Sequence, residues 1–150
     1  LPEMWSTGFV IEAQEVADNL YKKNYRTTDV YCTLGYIYNV VKTPEQAIEF
    51  NKEAMEYNPD KAVIKDNLAQ AYYLNGDYDM AERLSKEVVD TSPRFPEGYY
   101  NYALVLMKKG DRKKAKEMLN EALTKEFHNL TTITKEQVLN LLEGNESDVG

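Results

Sequence analysis

Large apolar residues recur along this chain at steps of three and four, the spacing that places side chains on one face of an α-helix. These stretches alternate with short polar turns, such as GDYDMA at residues 76–81. The same turn position returns 34 residues later as GDRKKA and 34 residues earlier as KTPEQA. The pattern predicts an all-α chain of helical hairpins that repeat with one fixed period.

Three consecutive segments align in this frame without a gap: residues 28–61, 62–95 and 96–129. Gly or Ala recurs in each segment where two helices have to approach closely. These small residues are Gly35, Ala69 and Ala103 in the first helices and Ala47, Ala81 and Ala115 in the second helices. Each segment is therefore predicted to be a helix, a tight turn and a second helix.

Glycine and aspartate mark the turn inside two of these segments. Gly76 and Gly110 are predicted to end the first helices, because glycine adopts the left-handed conformation without steric cost. Asp77 and Asp111 follow them and are predicted to cap the second helices by accepting backbone N–H bonds.

A further helix is predicted after the third segment, over residues 130–144. Thr134 and Gln137 have the spacing of a capping box, and Gly144 is expected to end the helix. An amphipathic helix here would cover the face that the last hairpin otherwise exposes. We expect residues 145–150 to be a disordered tail.

The stretch YCTLGYIY, residues 31–38, resembles the tetratricopeptide repeat, whose 34-residue pattern has a large residue, Leu-Gly, Tyr, a later Ala and a closing Pro. Three full repeats cover residues 28–129. Residues 1–27 resemble the end of a preceding repeat, so they are interpreted as a partial N-terminal repeat. Because residues 1–6 are too short for a full first helix, we expect the natural protein to continue upstream.

The resemblance implies a right-handed α-solenoid of antiparallel helical hairpins, a superhelix whose concave wall is formed by the first helix of each repeat. The family generally binds peptides or proteins in that groove. Carrying the family's groove positions onto this chain places Trp5 at the near edge and predicts a set of peptide-binding residues. They are Tyr36, Asn39, Asn67, Gln70, Tyr73, Tyr100, Asn101, Leu104 and Met107.

Asn67 and Asn101 hold the same position in successive repeats. An amide offers both a donor and an acceptor to an extended peptide backbone, and the pair resembles the asparagine ladder of O-linked N-acetylglucosamine transferases. The alternative is that asparagine is simply frequent at this repeat position. Tyr36, Tyr73 and Tyr100 are expected in the groove, with partial burial between helices as the alternative.

Composition excludes several classes of partner. The net charge is −7, and the groove carries Asp66 and Glu97, so nucleic acid is not an expected partner. These groove positions also lack the lysines with which co-chaperone repeats hold a chaperone's C-terminal carboxylate. No apolar run is long enough for membrane insertion. The single cysteine, Cys32, permits no internal disulfide, which suits a cytoplasmic location.

Groups that carry catalysis are scarce. The single histidine, His128, has no nucleophilic partner in the sequence, and Cys32 is too isolated for a metal site. No Gly-rich phosphate loop follows a strand. We therefore expect no enzyme activity, no catalytic residue, no metal and no cofactor.

The sequence thus predicts a non-enzymatic protein–protein interaction module that binds a peptide or protein segment in its concave groove. One alternative is a self-assembling structural scaffold, a homo-oligomer formed through the uncovered N-terminal edge. Another is the non-catalytic arm of a larger protein, which could be membrane-anchored.

Overall fold

A computed structural model describes residues 7–128 and 130–149, with side chains for residues 11–128 and 130–145. These ranges contain helices and no strand. The helices are α1 (Thr7–Lys22), α2 (Thr28–Val41), α3 (Pro44–Tyr57), α4 (Ala62–Leu74), α5 (Tyr78–Asp90), α6 (Pro96–Lys108), α7 (Arg112–Leu123) and α8 (Lys135–Val149). Trp5, predicted at the edge of the groove, lies outside the described residues.

The helices form the predicted hairpins, α2 with α3, α4 with α5 and α6 with α7. Each helix packs against the next one along the chain, and α4 also contacts both α2 and α6. The first helices of the three hairpins therefore form one continuous layer. This arrangement is the predicted all-α helical repeat solenoid.

The small residues at the helix crossings are buried as predicted. Ala47, Ala81 and Ala115 have no exposed surface, and neither does Ala103 in α6. Because these positions leave no room for a larger side chain, they fix how closely the two helices of each hairpin approach.

The turns inside the second and third hairpins follow the predicted glycine chemistry. Gly76 and Gly110 have φ values of 81° and 85°, in the left-handed region. The Asp111 carboxylate accepts the backbone N–H of the residue three positions later at 3.1 Å, as a helix cap does. Asp77 makes no such bond, so that prediction is wrong. The side-chain amide of Asn75 donates to the Asp77 carboxylate at 2.9 Å instead.

The capping box predicted at the start of α8 is present. The Thr134 backbone N–H donates to Gln137 Oε1 at 2.7 Å, and the Gln137 backbone N–H donates to Thr134 Oγ1 at 3.1 Å. Val138, one residue further on, is fully buried in the core of the third hairpin. The helix therefore covers the last hairpin of the solenoid.

Helix α8 does not end at Gly144, and the disordered tail predicted from residue 145 is contradicted by a helix that runs to Val149. Asn145 provides a physical reason, because its side chain is buried and donates to the Arg112 carbonyl at 3.0 Å. This bond joins the turn after Gly144 to the start of α7. Gly144 itself has no positive φ and continues the helix.

Candidate functional site

The concave face of the solenoid encloses a groove of about 750 Å³. Its walls come from α2, α4 and α6, together with residues 128 and 130–133 of the segment that connects α7 to α8. Most of the predicted peptide-binding residues line it: Tyr36, Asn39, Asn67, Gln70, Tyr100, Asn101 and Leu104. The repeat register therefore brings side chains from all three first helices to one surface.

Tyr73 and Met107 do not line the groove. The Tyr73 ring packs against Tyr78 of α5, with ring centroids 5.7 Å apart. Met107 packs against the core of the third hairpin. The two residues hold the same position in successive repeats, and in both repeats that position faces a neighbouring helix.

The two asparagines at equivalent positions connect successive repeats. Asn67 Nδ2 donates to the Cys32 carbonyl at 3.0 Å, which ties α4 to α2. Asn101 Nδ2 donates to Asp66 Oδ2 at 3.1 Å, which ties α6 to α4 in the same way. Each amide thus stabilises the stacking of repeats, and its contact with a peptide backbone remains a prediction.

A buried polar network lies behind this part of the groove. Asn51 of α3 is fully buried, and its Nδ2 donates to the Gly35 carbonyl at 3.3 Å and to Asn39 Oδ1 at 3.2 Å. Asn39 Nδ2 in turn donates to the Asn67 carbonyl at 2.9 Å. A Cβ atom on Gly35 would lie 2.2 Å from Asn51 Oδ1, so only glycine leaves room for the network.

Acidic side chains meet at the centre of the groove. Asp66 is only 5% exposed; its Oδ2 accepts the bond from Asn101, and its Oδ1 has no donor in the described part of the chain. Glu97 Oε2 accepts from the Thr132 backbone N–H at 3.0 Å and from the Thr132 hydroxyl at 3.1 Å. Glu97 Oε1 and Gln70 Oε1 are buried with no donor among the described residues. Three buried acceptors in the groove wall therefore lack partners within the described chain.

Burial changes the proton affinity of these groups. Burial, the largest cause, and the nearby charge of Glu97 together raise the pKa of Asp66 from 3.8 to about 7, while the bond from Asn101 opposes the shift. Burial also raises the pKa of Tyr36, again with a contribution from Glu97 and an opposing hydrogen bond with Thr132. The carboxyl group of Asp66 therefore keeps its proton to a higher pH than an exposed aspartate does.

The segment between α7 and α8 takes part in the groove, which the sequence did not predict. Thr131 and Ile133 are buried, and Thr132 between them bonds Glu97. The same residue contacts Tyr36 of the first full repeat. No feature of the helical period could indicate this contact, because the segment lies between the repeat and the covering helix.

Two classes of site are not indicated by the geometry. No helix in residues 7–128 and 130–149 combines the length and apolarity needed to cross a membrane. Within the same ranges, no three His, Cys, Asp or Glu side chains come together in a way that could hold a metal ion.

Stacked helical hairpins with a continuous inner groove define the chain as an α-helical repeat protein. Models of the tetratricopeptide repeat match residues 28–61 and 74–129, which together are more than half of the chain. The chain therefore belongs to the tetratricopeptide repeat family. In general this family is a non-enzymatic protein-interaction fold.

Solved structures share the fold at low sequence identity. TTC0263, a thermophilic tetratricopeptide repeat protein of Thermus thermophilus, is 19% identical, with a TM-score of 0.77 over 95% of this chain and 76% of that one. The structure of the APC/C hetero-tetramer Cut9–Hcn1 contains a chain that is 15% identical, with a TM-score of 0.72 over 94% of this chain and 26% of that one. YrrB, a tetratricopeptide repeat protein described as having an unusual peptide-binding site, is 21% identical, with a TM-score of 0.60 over 78% of this chain and 60% of that one. No curated protein sequence matches the chain significantly.

Proposed function

We propose that the concave groove binds a short, extended segment of a partner protein. The observation that carries this proposal is a groove of about 750 Å³ whose wall is continuous across α2, α4 and α6. This volume is within the range of roughly 300–1,000 Å³ that is common for binding clefts. It accommodates a few residues of a peptide rather than a folded domain.

The composition of the wall suits protein recognition. Tyr36 and Tyr100 are half-buried, Leu104 supplies aliphatic surface between polar groups, and Leu74 is 44% exposed at the rim. Aromatic anchors surrounded by polar groups are typical of the residues that dominate binding energy at protein interfaces.

The groove is also preformed. Hydrogen bonds from Asn67 and Asn101 connect successive repeats, and Asn39 is held between α3 and α4. A wall fixed in this way loses little conformational freedom when a segment binds, so more of the contact energy contributes to affinity.

Selection of random peptides displayed on phage, with the intact chain immobilised, tests this proposal. We expect the recovered peptides to bind the wild type and to bind Tyr100→Ala more weakly, because Tyr100 lines the groove. Tyr25→Ala is the matched control, since Tyr25 is 59% exposed and does not line the groove. Equal loss in both variants with unchanged folding, or no recovered peptide, would refute groove binding.

A second candidate function, self-association, is favoured by the N-terminal edge. An apolar groove of about 440 Å³ lies between α1 and α2, and Val16 and Ile11 nearby are 61% and 50% exposed. Sedimentation equilibrium at several concentrations tests it. We expect a dimer that Val16→Glu dissociates, with Leu139→Glu on exposed α8 surface as the control. A monomer at every concentration would exclude this candidate.

A further inference from the structure

The centre of the groove has an excess of hydrogen-bond acceptors. Asp66 Oδ1, Glu97 Oε1 and Gln70 Oε1 are all buried without a donor in the part of the chain that the structure describes. A buried acceptor without a partner costs free energy, so a native structure with several of them in one groove wall indicates a missing donor.

We propose that this part of the groove is a subsite for a cationic side chain of the bound segment, preferentially an arginine. The subsite consists of Asp66, Gln70 and Glu97, and it rests on the proposed function because it defines which peptides the groove takes. It assigns the partner's chemistry: an extended segment with a basic residue at the position that reaches the middle of α4 and α6.

Charge supports a cation over a neutral donor. Among the residues that line the groove, Asp66 and Glu97 carry carboxyl groups, and none is Lys or Arg. The lining residue His128 accepts a bond from the Leu130 backbone N–H through Nδ1. No fixed positive charge in the wall therefore competes with an incoming cation.

Geometry favours guanidinium over ammonium. A guanidinium group carries five N–H donors in a planar fork, which suits acceptors on separate side chains, whereas an ammonium group is a compact point charge. The acceptors here belong to α4 and α6, and the Asn101 amide already holds one oxygen of Asp66 in place. A planar donor reaching between the two helices can satisfy Asp66 and Glu97 together.

The free protein carries a cost at this position that a cation would remove. Burial and the charge of Glu97 raise the pKa of Asp66 to about 7, and Asn101 is the group that opposes the shift. The other titratable groups that line the groove are Cys32 and Tyr36 on α2, Tyr100 on α6 and His128 in the connecting segment. An arginine between the carboxylates would stabilise the deprotonated form, so binding should strengthen as pH rises from about 6 to about 8.

Two small probes test the subsite without knowledge of the natural partner. Acetyl-arginine methylamide and acetyl-citrulline methylamide have nearly the same shape, and only the first is charged. In an NMR titration of the ¹⁵N-labelled intact chain, we expect the arginine probe to shift the side-chain amides of Asn101 and Gln70. Its affinity should exceed that of the citrulline probe by about tenfold or more, as is typical of hydrogen bonds to charged groups.

Charge-neutral variants assign the effect to named residues. Asp66→Asn and Glu97→Gln keep size and shape, and each should reduce the affinity for the arginine probe to that for citrulline. Asp60→Asn and Glu56→Gln make the same changes at exposed positions outside the groove and should have no effect. An asparagine at position 66 keeps a side-chain oxygen that can accept the hydrogen bond from Asn101. Asp66→Asn should therefore fold even if Glu97→Gln does not.

The arginine titration and the phage selection together separate the subsite from the groove proposal. If peptides recovered by the wild type share an Arg or Lys that is lost in selection on Asp66→Asn, both proposals are supported. Recovered peptides without a shared basic residue overturn the subsite alone. If no peptide is recovered but the arginine probe binds in an Asp66-dependent way, peptide binding fails and the subsite stands. If the probe does not bind, the acceptors are satisfied by water only and the subsite is refuted.

Discussion

Among the glycines that the structure describes, Gly35 is the one at which an added methyl group would meet the closest atoms. Gly35→Ala would place a Cβ atom 2.2 Å from Asn51 Oδ1 and 2.9 Å from Asn67 Nδ2. Both distances are shorter than any normal contact, and Asn51 is fully buried. The Asn51 side chain therefore has to move when the methyl group is added.

The cost follows from what Asn51 would lose. Its Nδ2 donates to the Gly35 carbonyl and to Asn39 Oδ1. Each lost hydrogen bond costs about 0.5–1.5 kcal/mol, and overpacking adds about 1–3 kcal/mol. Alanine recovers about 1 kcal/mol through its higher helix propensity. We expect Gly35→Ala to lower the free energy of unfolding by about 1–5 kcal/mol.

Urea unfolding followed by circular dichroism measures this loss, and Gly144→Ala is the matched control. Gly144 also lies inside a helix, but a Cβ atom there meets nothing within 4 Å. We expect the control to be neutral or more stable by up to about 1 kcal/mol. The double variant Gly35→Ala with Asn51→Ala should cost less than the sum of the two single variants, because it removes the clashing oxygen.

A Gly35→Ala variant as stable as the control would refute this reasoning. It would mean that Asn51 moves without cost, and that the network behind Asn39 and Asn67 does not fix the groove wall. Additive costs in the double variant would contradict the specific clash with Asn51.

Other substitutions test separate parts of the structure. Ala81→Leu should lower the free energy of unfolding by about 1–3 kcal/mol through overpacking at a fully buried helix crossing, measured by urea unfolding; a neutral result would contradict the assigned register. Asp66 has a pKa raised from 3.8 to about 7, so its contribution to stability is present below about pH 4 and is lost as pH rises through about 7. Asp66→Asn should therefore gain in melting temperature relative to wild type between about pH 4 and pH 8, and a constant difference would argue against the shift. Asn145→Ala should speed amide hydrogen exchange in the last turns of α8, because it removes the bond to the Arg112 carbonyl; unchanged exchange would show that the bond does not hold the helix end.

The sequence could predict the hairpins because their determinants are local and repeated. Each repeat has the helical spacing of apolar residues and the small residues at the crossings, and two of the three have glycine at the turn. The assignment of one repeat is therefore supported independently by the others. The cap at Asp77 failed because Asn75, two residues earlier, competes for the same carboxylate. A rule based on residue type at one position does not include such a competitor.

The groove could be predicted only in part. The register correctly placed Asn101 and Leu104 on the inner wall, because a solenoid repeats the orientation of each position. The register could not show that Tyr73 lies outside the groove wall, because its ring packs against Tyr78 of the next helix. The burial of the acidic side chains at the centre of the groove depends on Thr132, which bonds Glu97 from outside the repeats. Such a contact follows from the tertiary arrangement and has no periodic signal.

The central claim is that binding takes place on the inner wall of the helical repeats. An NMR titration of the ¹⁵N-labelled chain with a peptide recovered by selection tests it most directly. We expect the largest shifts in α2, α4, α6 and the α7–α8 segment, with Asn101 and Leu104 among them. Shifts concentrated on the outer helices α3, α5 and α7 would contradict it.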